Sequence, residues 1–93
     1  MALKHVQGKS AGKVVLYALS TCPWCKKTKE LLNSMGVDYY YDDVDLMSDN
    51  EKDKAMEVVR KWNPACNFPT MVINDSKCIV GYLESEIKRQ LKV

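Results

Sequence analysis

The sequence predicts an α/β domain in which three helices cover a four-stranded mixed sheet, in the chain order β-α-β-α-β-β-α. Two apolar, β-branched runs are each followed by a helical pattern, and strands connected in this way pair in parallel through right-handed crossovers. Two further short runs flank a polar turn and predict an antiparallel hairpin. An amphipathic segment then predicts a helix at the end of the chain.

A buried strand and an amphipathic helix begin the predicted domain. Residues 13–19 predict a strand, because the run 14–19 within them is apolar and partly β-branched, which is typical of a strand covered on both faces. Residues 23–35 have helical periodicity, with Pro23 at the first position, where no N–H partner is lost, and Gly36 as the left-handed residue that ends the helix. The apolar stripe of this helix comprises Cys25, Thr28, Leu31, Leu32 and Met35.

A second strand and a second helix follow. Residues 37–44 are rich in Tyr and Val and predict the strand. Ser48 and Glu51 form a capping box, which predicts that the next helix begins there. Asn63-Pro64 ends that helix, because the residue before a proline disfavours the helical region. The predicted buried face of the helix comprises Ala55, Met56, Val59 and Trp62.

The last third of the chain predicts the hairpin and the terminal helix. Residues 70–73 and 78–80 are short apolar runs, and the polar residues 74–77 form the turn between them. Apolar residues spaced by four predict the buried stripe of the helix, namely Leu83, Ile87 and Leu91. Early acidic and late basic residues suit the helix dipole; these are Glu84, Glu86, Lys88, Arg89 and Lys92.

Length and composition indicate one small intracellular domain. The 93 residues suffice for a single core, and they divide into an N-terminal arm, 1–12, and a domain, 13–93. The arm is expected to be a flexible terminus rather than a short strand at residues 3–6. The net charge of +2 is too small and too scattered for a nucleic-acid surface, and no apolar run approaches the ~20 residues of a membrane span. Since no signal peptide is visible, we expect a cytoplasmic protein whose thiols stay reduced.

Cys22 and Cys25 are separated by two residues at the predicted transition from strand to helix. At that point the backbone N–H groups of the first turn have no partners and the helix dipole is positive, so a thiolate is favoured. Cys25 lies one turn further along the same side and can close a disulfide with Cys22. Because the thiolate is the nucleophile in disulfide exchange, the pair predicts a redox-active dithiol.

Four motifs resemble the thioredoxin fold and, within it, the glutaredoxin family. Cys22-Pro23-Trp24-Cys25 is similar to the C-P-Y-C of dithiol glutaredoxins, and Phe68-Pro69-Thr70 matches the place of the family's cis-proline. Met71-Val72-Ile73 corresponds to the third strand, and Ile79-Val80-Gly81-Tyr82 stands where the family has a Gly-Gly turn before its last helix. The likeness covers residues 13–93 and implies a monomer with the thioredoxin fold.

The resemblance implies a two-step reduction of protein disulfides. Cys22 attacks the disulfide of the client protein; Cys25 then attacks Cys22, which releases the reduced client and leaves a Cys22–Cys25 disulfide. The Phe68-Pro69 bond is expected to be cis, and the backbone of Phe68 is expected to pair with an extended substrate segment. The residues expected to contact the substrate are Trp24, Phe68, Pro69, Gly81 and Tyr82.

Several residues depart from the pattern of glutathione-using family members. Leu19 stands where those members carry a Lys, Tyr82 replaces the second Gly, and Ser85 replaces one of two acidic residues. Asn67-Phe68 replaces Thr-Val before the proline. Gly81-Tyr82 is instead similar to the Gly-Phe of redoxins that donate electrons to ribonucleotide reductase. The resemblance therefore implies no tightly bound cofactor, an external reductant (thioredoxin reductase rather than glutathione) and disulfide-containing clients, with ribonucleotide reductase as a candidate.

Alternative functions use the same cysteines. All four thiols together suit a structural zinc site, although Cys66 and Cys78 lack the close spacing of a zinc-binding pair. Cys22 with glutathione suits an iron–sulfur cluster, and a non-catalytic thioredoxin-fold binding module is a third alternative; the intact second cysteine, Cys25, argues against both. Cys66 is expected to be either a second thiol beside the active site or a small loop residue. Cys78 is expected to pack in the core on an inner strand.

Overall fold

A computed structural model describes residues 4–91, which form a five-stranded mixed sheet and three helices. The elements are β1 (Lys4–Val6), β2 (Val14–Ala18), α1 (Pro23–Met35), β3 (Tyr39–Asp43), a 3₁₀ helix (Val44–Leu46), α2 (Asp49–Trp62), β4 (Thr70–Ile73), β5 (Lys77–Val80) and α3 (Glu84–Gln90). The strands lie in the order β1-β3-β2-β4-β5, with β2 and β3 parallel and the other neighbours antiparallel. The expected thioredoxin-like arrangement of mixed sheet and helices is confirmed.

The expected number of strands was wrong by one, because part of the N-terminal arm joins the sheet. β1 pairs antiparallel with β3, and the ring of His5 stacks on that of Tyr40 with centroids 4.4 Å apart. His5 Nε2 also forms a hydrogen bond of 2.8 Å with Asp38 Oδ1. The expectation of a flexible terminus was therefore wrong for this segment. The strand was not recognised because three residues are too few to show the alternation that marks a strand.

Alternate residues of β2 belong to two cores, one on each face of the sheet. Leu16 packs in the core that α1 and α3 cover, whereas Tyr17 packs in the core that α2 covers. In the first core, α1 contributes Leu31 and Leu32, and α3 contributes Ile87. Since α1 is buried along one side only, its first turn stays accessible just beyond the end of β2.

The predicted helix boundaries are confirmed by the residues that cap them. Gly36 ends α1 with φ +68°, and its N–H donates to the carbonyl of Asn33. Ser48 Oγ accepts the N–H of Glu51 at 3.4 Å, as the capping box predicts for the start of α2. That helix ends at Trp62, directly before the Asn-Pro pair.

Two details near the C-terminus were wrong. Leu83 precedes α3 and is 50% exposed, so it is not part of the buried stripe that Ile87 and Leu91 form. Cys78 lies in β5, which is an edge strand and not an inner one, and its side chain is half-buried. Both side chains fit the apolar period, but the end of a helix and the edge of a sheet leave them partly uncovered.

Some predictions extend beyond the described residues. They concern Leu3 in the arm, Lys92 at the end of the terminal helix and Val93 at the end of the domain, all of which lie outside residues 4–91. Within residues 4–91, the helices are too short or too polar to cross a bilayer.

Asp42 is a buried carboxylate with an unpaired oxygen. It alternates with Tyr40 along β3 and therefore faces the α2 side of the sheet. Only 3% of the residue is exposed, and Oδ2 has no hydrogen-bond partner among the described residues. Burial raises the pKa of Asp42, the negative charge of Glu51 acts in the same direction, and Lys4 opposes both. Folding therefore makes the protonated form of this carboxyl group more favourable than it is in the unfolded chain.

We expect the stability difference between Asp42→Asn and wild type to shift in favour of the variant as the pH rises. The raised pKa gives wild type a stabilising contribution that is present below the unfolded-state pKa and is lost as the pH passes the folded-state value. Between about pH 3 and pH 8 the variant, which cannot titrate at this position, should therefore gain stability relative to wild type. Urea unfolding measures this change, and Asp53→Asn, which alters an exposed residue of α2, is the control. A difference that did not vary with pH would contradict the prediction.

Candidate active site

Cys22 and Cys25 lie where β2 ends and α1 begins. The N–H of Cys22 donates to the carbonyl of Leu19 at 3.2 Å and closes a turn between the two elements. Cys22 is the N-cap of α1, with Pro23 in the first helical position, and its Sγ accepts the N–H of Cys25 at 3.3 Å. Both side chains are free thiols. The structure thus places a dithiol on the first turn of a helix, as the sequence predicts.

The two thiols differ in exposure. Cys22 is half-buried, whereas Cys25 has no exposed surface. Burial raises the pKa of Cys25 to about 12, its hydrogen bond with Cys22 acts in the same direction, and the positive charge of Lys29 opposes them only in part. Cys25 therefore keeps its proton at neutral pH. This contrast favours Cys22 as the thiol that meets a substrate first.

The loop between α2 and β4 forms a second side of the site. Its Phe68–Pro69 peptide bond is cis, as the family resemblance implies. The carbonyl of Pro69 accepts the N–H of Gly81 at 2.8 Å, which connects this loop to the end of β5. Asn63 is buried just after α2 and donates through Nδ2 to the carbonyl of Asn67 at 3.1 Å. These bonds fix the backbone on both sides of the proline.

An exposed aromatic groove begins at Trp24, which lies between the two cysteines in the sequence. The groove has a volume of about 250 Å³ and is lined by Trp24, Phe68, Gly81 and Tyr82. Trp24 is 55% exposed, and its ring stacks on that of Tyr82 with centroids 6.1 Å apart. Four of the five residues expected to contact substrate therefore line one groove, and the fifth, Pro69, is buried and bonded to Gly81.

The other two cysteines occupy different surroundings. Cys66 lies on the loop that leads to Pro69, with φ +53° and its N–H donating to the carbonyl of Asn63 at 2.8 Å. Cys78 lies in β5, where burial raises the pKa of its thiol. Within residues 4–91, no three His, Cys, Asp or Glu side chains are grouped closely enough to hold a metal ion.

Two side chains at the site were not singled out from the sequence. Asn63 was expected only to end α2, yet it holds the loop that precedes β4. Asp45, in the 3₁₀ helix, accepts two hydrogen bonds from Ser20, which lies in the turn that leads to Cys22. The sequence does carry a signal for Asp45, because parallel strands bring the residues that follow them to the same edge of the sheet.

Comparisons with known sequences agree with this geometry. Residues 14–78 match the glutaredoxin family. An uncharacterised glutaredoxin-like 8.6 kDa protein in the rubredoxin operon of Clostridium pasteurianum is 35% identical, over 85% of this chain and 97% of its own length. Glutaredoxin-1 of Sus scrofa is 32% identical, over 96% of this chain and 87% of its own length.

Solved structures show the same similarity. The glutaredoxin from Methanosarcina mazei superposes with a TM-score of 0.91 at 50% identity, covering 98% of this chain and 88% of that one. The methanoredoxin of Methanosarcina acetivorans has a TM-score of 0.90 at 49% identity, covering 92% of this chain and 90% of that one. The family match, the sequence identities and the shared architecture agree, and the chain belongs to the glutaredoxin family, whose members are generally thiol oxidoreductases.

Proposed function

We propose that the protein reduces disulfide bonds in client proteins through a cycle of Cys22 and Cys25. The thiolate of Cys22 attacks one sulfur of the client's disulfide, forms a mixed disulfide and expels the other sulfur as a thiolate. The thiol of Cys25 then gives up its proton, attacks Cys22 Sγ and expels the client's remaining sulfur, which leaves a Cys22–Cys25 disulfide. An external reductant supplies the two electrons that restore the dithiol.

The observation that carries this proposal is the contrast between two thiols on one helical turn. Cys22 is accessible at the N-cap, where its sulfur accepts an N–H and meets the positive end of the helix dipole. Cys25 is fully buried one turn further on, and its raised pKa keeps the thiol protonated at neutral pH while Cys22 is free. Such a pair separates attack on the client from its release, which the two steps of a dithiol cycle require.

The aromatic groove is suited to a client protein that presents an extended apolar segment beside its disulfide. The stacked rings of Trp24 and Tyr82 offer a flat apolar surface, and Lys27 Nζ lies 5.0 Å from the Trp24 ring centroid. The backbone of Phe68, on the groove's lining, suits pairing with an extended strand. We propose cytoplasmic disulfide-containing proteins as clients, with ribonucleotide reductase as a candidate, and a monomer without a tightly bound cofactor as the active form.

We further propose that thioredoxin reductase, rather than glutathione, reduces the Cys22–Cys25 disulfide. Glu84 is the one acidic residue left where glutathione-using members hold the amino group of glutathione. Its two oxygens already accept hydrogen bonds from Lys88 Nζ and from the hydroxyl of Tyr82, each at 3.0 Å, and these bonds lower its pKa. Leu19 supplies no charge where those members have a Lys. The residues of a glutathione site are thus either replaced or engaged elsewhere.

A comparison of two reductants tests both parts of the proposal. Insulin reduction is measured with NADPH and thioredoxin reductase, and separately with NADPH, glutathione and glutathione reductase. We expect the first system to be faster by about tenfold or more, equivalent to ~1.4 kcal/mol or more in activation free energy. Tyr82→Gly introduces the Gly-Gly turn of glutathione-using members and releases one oxygen of Glu84. It should therefore reduce the difference in insulin-reduction rate between the two systems.

The possible failures are separable. Faster turnover of the wild-type protein with glutathione would contradict the choice of reductant and leave the dithiol cycle intact. If protein reduced chemically with dithiothreitol did not reduce insulin at all, the cycle itself would be wrong.

A further inference from the structure

We infer that Asp45 is a positioning residue for Cys22, because its carboxylate holds the turn that carries the attacking thiol. The inference rests on the proposed function, since it concerns the same thiol. Asp45 follows β3, whereas the two cysteines follow β2, so the inference adds to the active site a residue from a second strand.

The carboxylate of Asp45 binds both hydrogen-bonding groups of Ser20. Oδ1 accepts the backbone N–H of Ser20 at 2.8 Å, and Oδ2 accepts its hydroxyl at 2.5 Å. Hydrogen bonds to a charged acceptor are shorter and stronger than neutral ones, and two bonds to one residue also fix its orientation. The hydroxyl bond and then the N–H bond lower the pKa of Asp45, with Lys52 acting in the same direction, so the carboxylate is charged at neutral pH.

Ser20 lies in the same turn as Cys22, so a small displacement of Ser20 would also move Cys22. The turn between β2 and α1 runs from Leu19 to Cys22, is closed by one hydrogen bond of 3.2 Å, and has Ser20 and Thr21 at its centre. The hydrogen bond that closes such a turn leaves the N–H of its first central residue without a partner. Asp45 supplies that partner. Two contacts therefore fix the direction from which the chain enters the helix at Cys22: the hydrogen bond that closes the turn and the bond from Ser20 to the carboxylate of Asp45.

The register of the sheet brings these two residues together. Ala18 of β2 lies opposite Asp43 of β3 as the last pair of the parallel ladder. Ser20 and Asp45 each lie two residues beyond that pair, at the same edge of the sheet. Parallel strands run side by side in one direction, so the segments that leave them remain neighbours. The strand pairing at the centre of the fold thus aligns the carboxylate with the turn before the nucleophile.

Variants at the two ends of this contact test the inference in insulin reduction with a chemical reductant in excess. Asp45→Ala removes both hydrogen bonds, and Ser20→Ala removes only that of the hydroxyl. We expect Asp45→Ala to lower kcat about tenfold with KM unchanged, and Ser20→Ala about threefold. The double variant should be no slower than Asp45→Ala alone, because both changes break the same contact. Asp53→Ala, which removes an exposed carboxylate from α2, is the control and should stay within about twofold of wild type.

A second measurement separates positioning from loss of structure or of charge. Iodoacetamide requires an accessible thiolate but no defined approach direction, so its reaction with Cys22 is followed against pH by mass spectrometry of the Cys22 peptide. We expect Asp45→Ala to match wild type within about twofold in plateau rate, with the same midpoint, although its insulin reduction is slower. A role that only stabilised the fold would change exposure and alter both reactions.

Other results would contradict either the inference about Asp45 or the proposed function. Unchanged kcat in Asp45→Ala, or additive losses in the double variant, would overturn the inference. A shifted alkylation midpoint that accounts for the loss in kcat would also overturn it, because charge and not position would then be responsible. If Asp45→Ala fails to fold, Ser20→Ala carries the same comparison. A wild-type protein that does not reduce insulin would refute the proposed function instead.

Discussion

Replacement of Cys22 by Ser is expected to lower disulfide reduction by at least about 10³-fold. A hydroxyl stays protonated at neutral pH, whereas disulfide exchange requires a thiolate at this position. The change should leave the fold intact, because Ser differs from Cys by one atom and is itself a favoured helix N-cap. Insulin reduction with dithiothreitol or with a reductase measures the loss, and circular dichroism checks the fold.

Cys78→Ser is the matched control for this variant. It makes the same chemical change at the half-buried thiol of β5, on the edge of the sheet, and should retain at least about half of the wild-type rate. A Cys22→Ser protein that worked as well as wild type would show that another thiol performs the attack. Cys66, on the loop that carries Pro69, would then be the next residue to replace.

The second large effect is expected for Cys25→Ser, which should convert the protein into a trap for its clients. Cys22 still attacks the client's disulfide, but the buried hydroxyl at position 25 cannot release the mixed disulfide. Multiple turnover with a protein substrate should fall about 10²-fold or more, while stoichiometric client adducts accumulate. Non-reducing electrophoresis and mass spectrometry detect these adducts.

The double variant Cys22→Ser/Cys25→Ser provides the control, and it should form none of the adducts. Continued rapid turnover by Cys25→Ser would mean that an external thiol resolves the mixed disulfide. The burial of Cys25, which raises its pKa to about 12, would then have no part in release.

Local signals allowed most of the fold to be predicted from the sequence. Pro23, Gly36 and Ser48 mark helix ends through backbone requirements that hold in any tertiary context, and each occupies the predicted cap position. β1 was missed because its stability comes from pairing with β3 and from the stacking of His5 on Tyr40. Contacts of this kind join residues far apart in sequence and leave no local periodicity.

The same distinction holds at the active site. The position of Cys22 and Cys25 at the start of α1 was predicted correctly, since it follows from a strand, a turn and a helix that are adjacent in the chain. The strand pattern places Asp45 and Ser20 at the same edge of the sheet, but it does not show their hydrogen bonds. Those bonds, and the bond from Asn63 to the carbonyl of Asn67, depend on side-chain direction, which the sequence does not reveal. Both required the three-dimensional structure.

The short strand β1 also affects how the molecule meets its own copies. Without it, the five-residue strand β3, with three consecutive tyrosines, would expose its backbone N–H and C=O groups along one border of the described sheet. Such a border is a template for intermolecular β-pairing and aggregation. With β1 in place, the described part of that border comprises Lys4–Val6 and carries an exposed lysine, Lys4. An exposed positive charge at an edge strand disfavours pairing with another sheet, so this N-terminal segment protects the protein against aggregation.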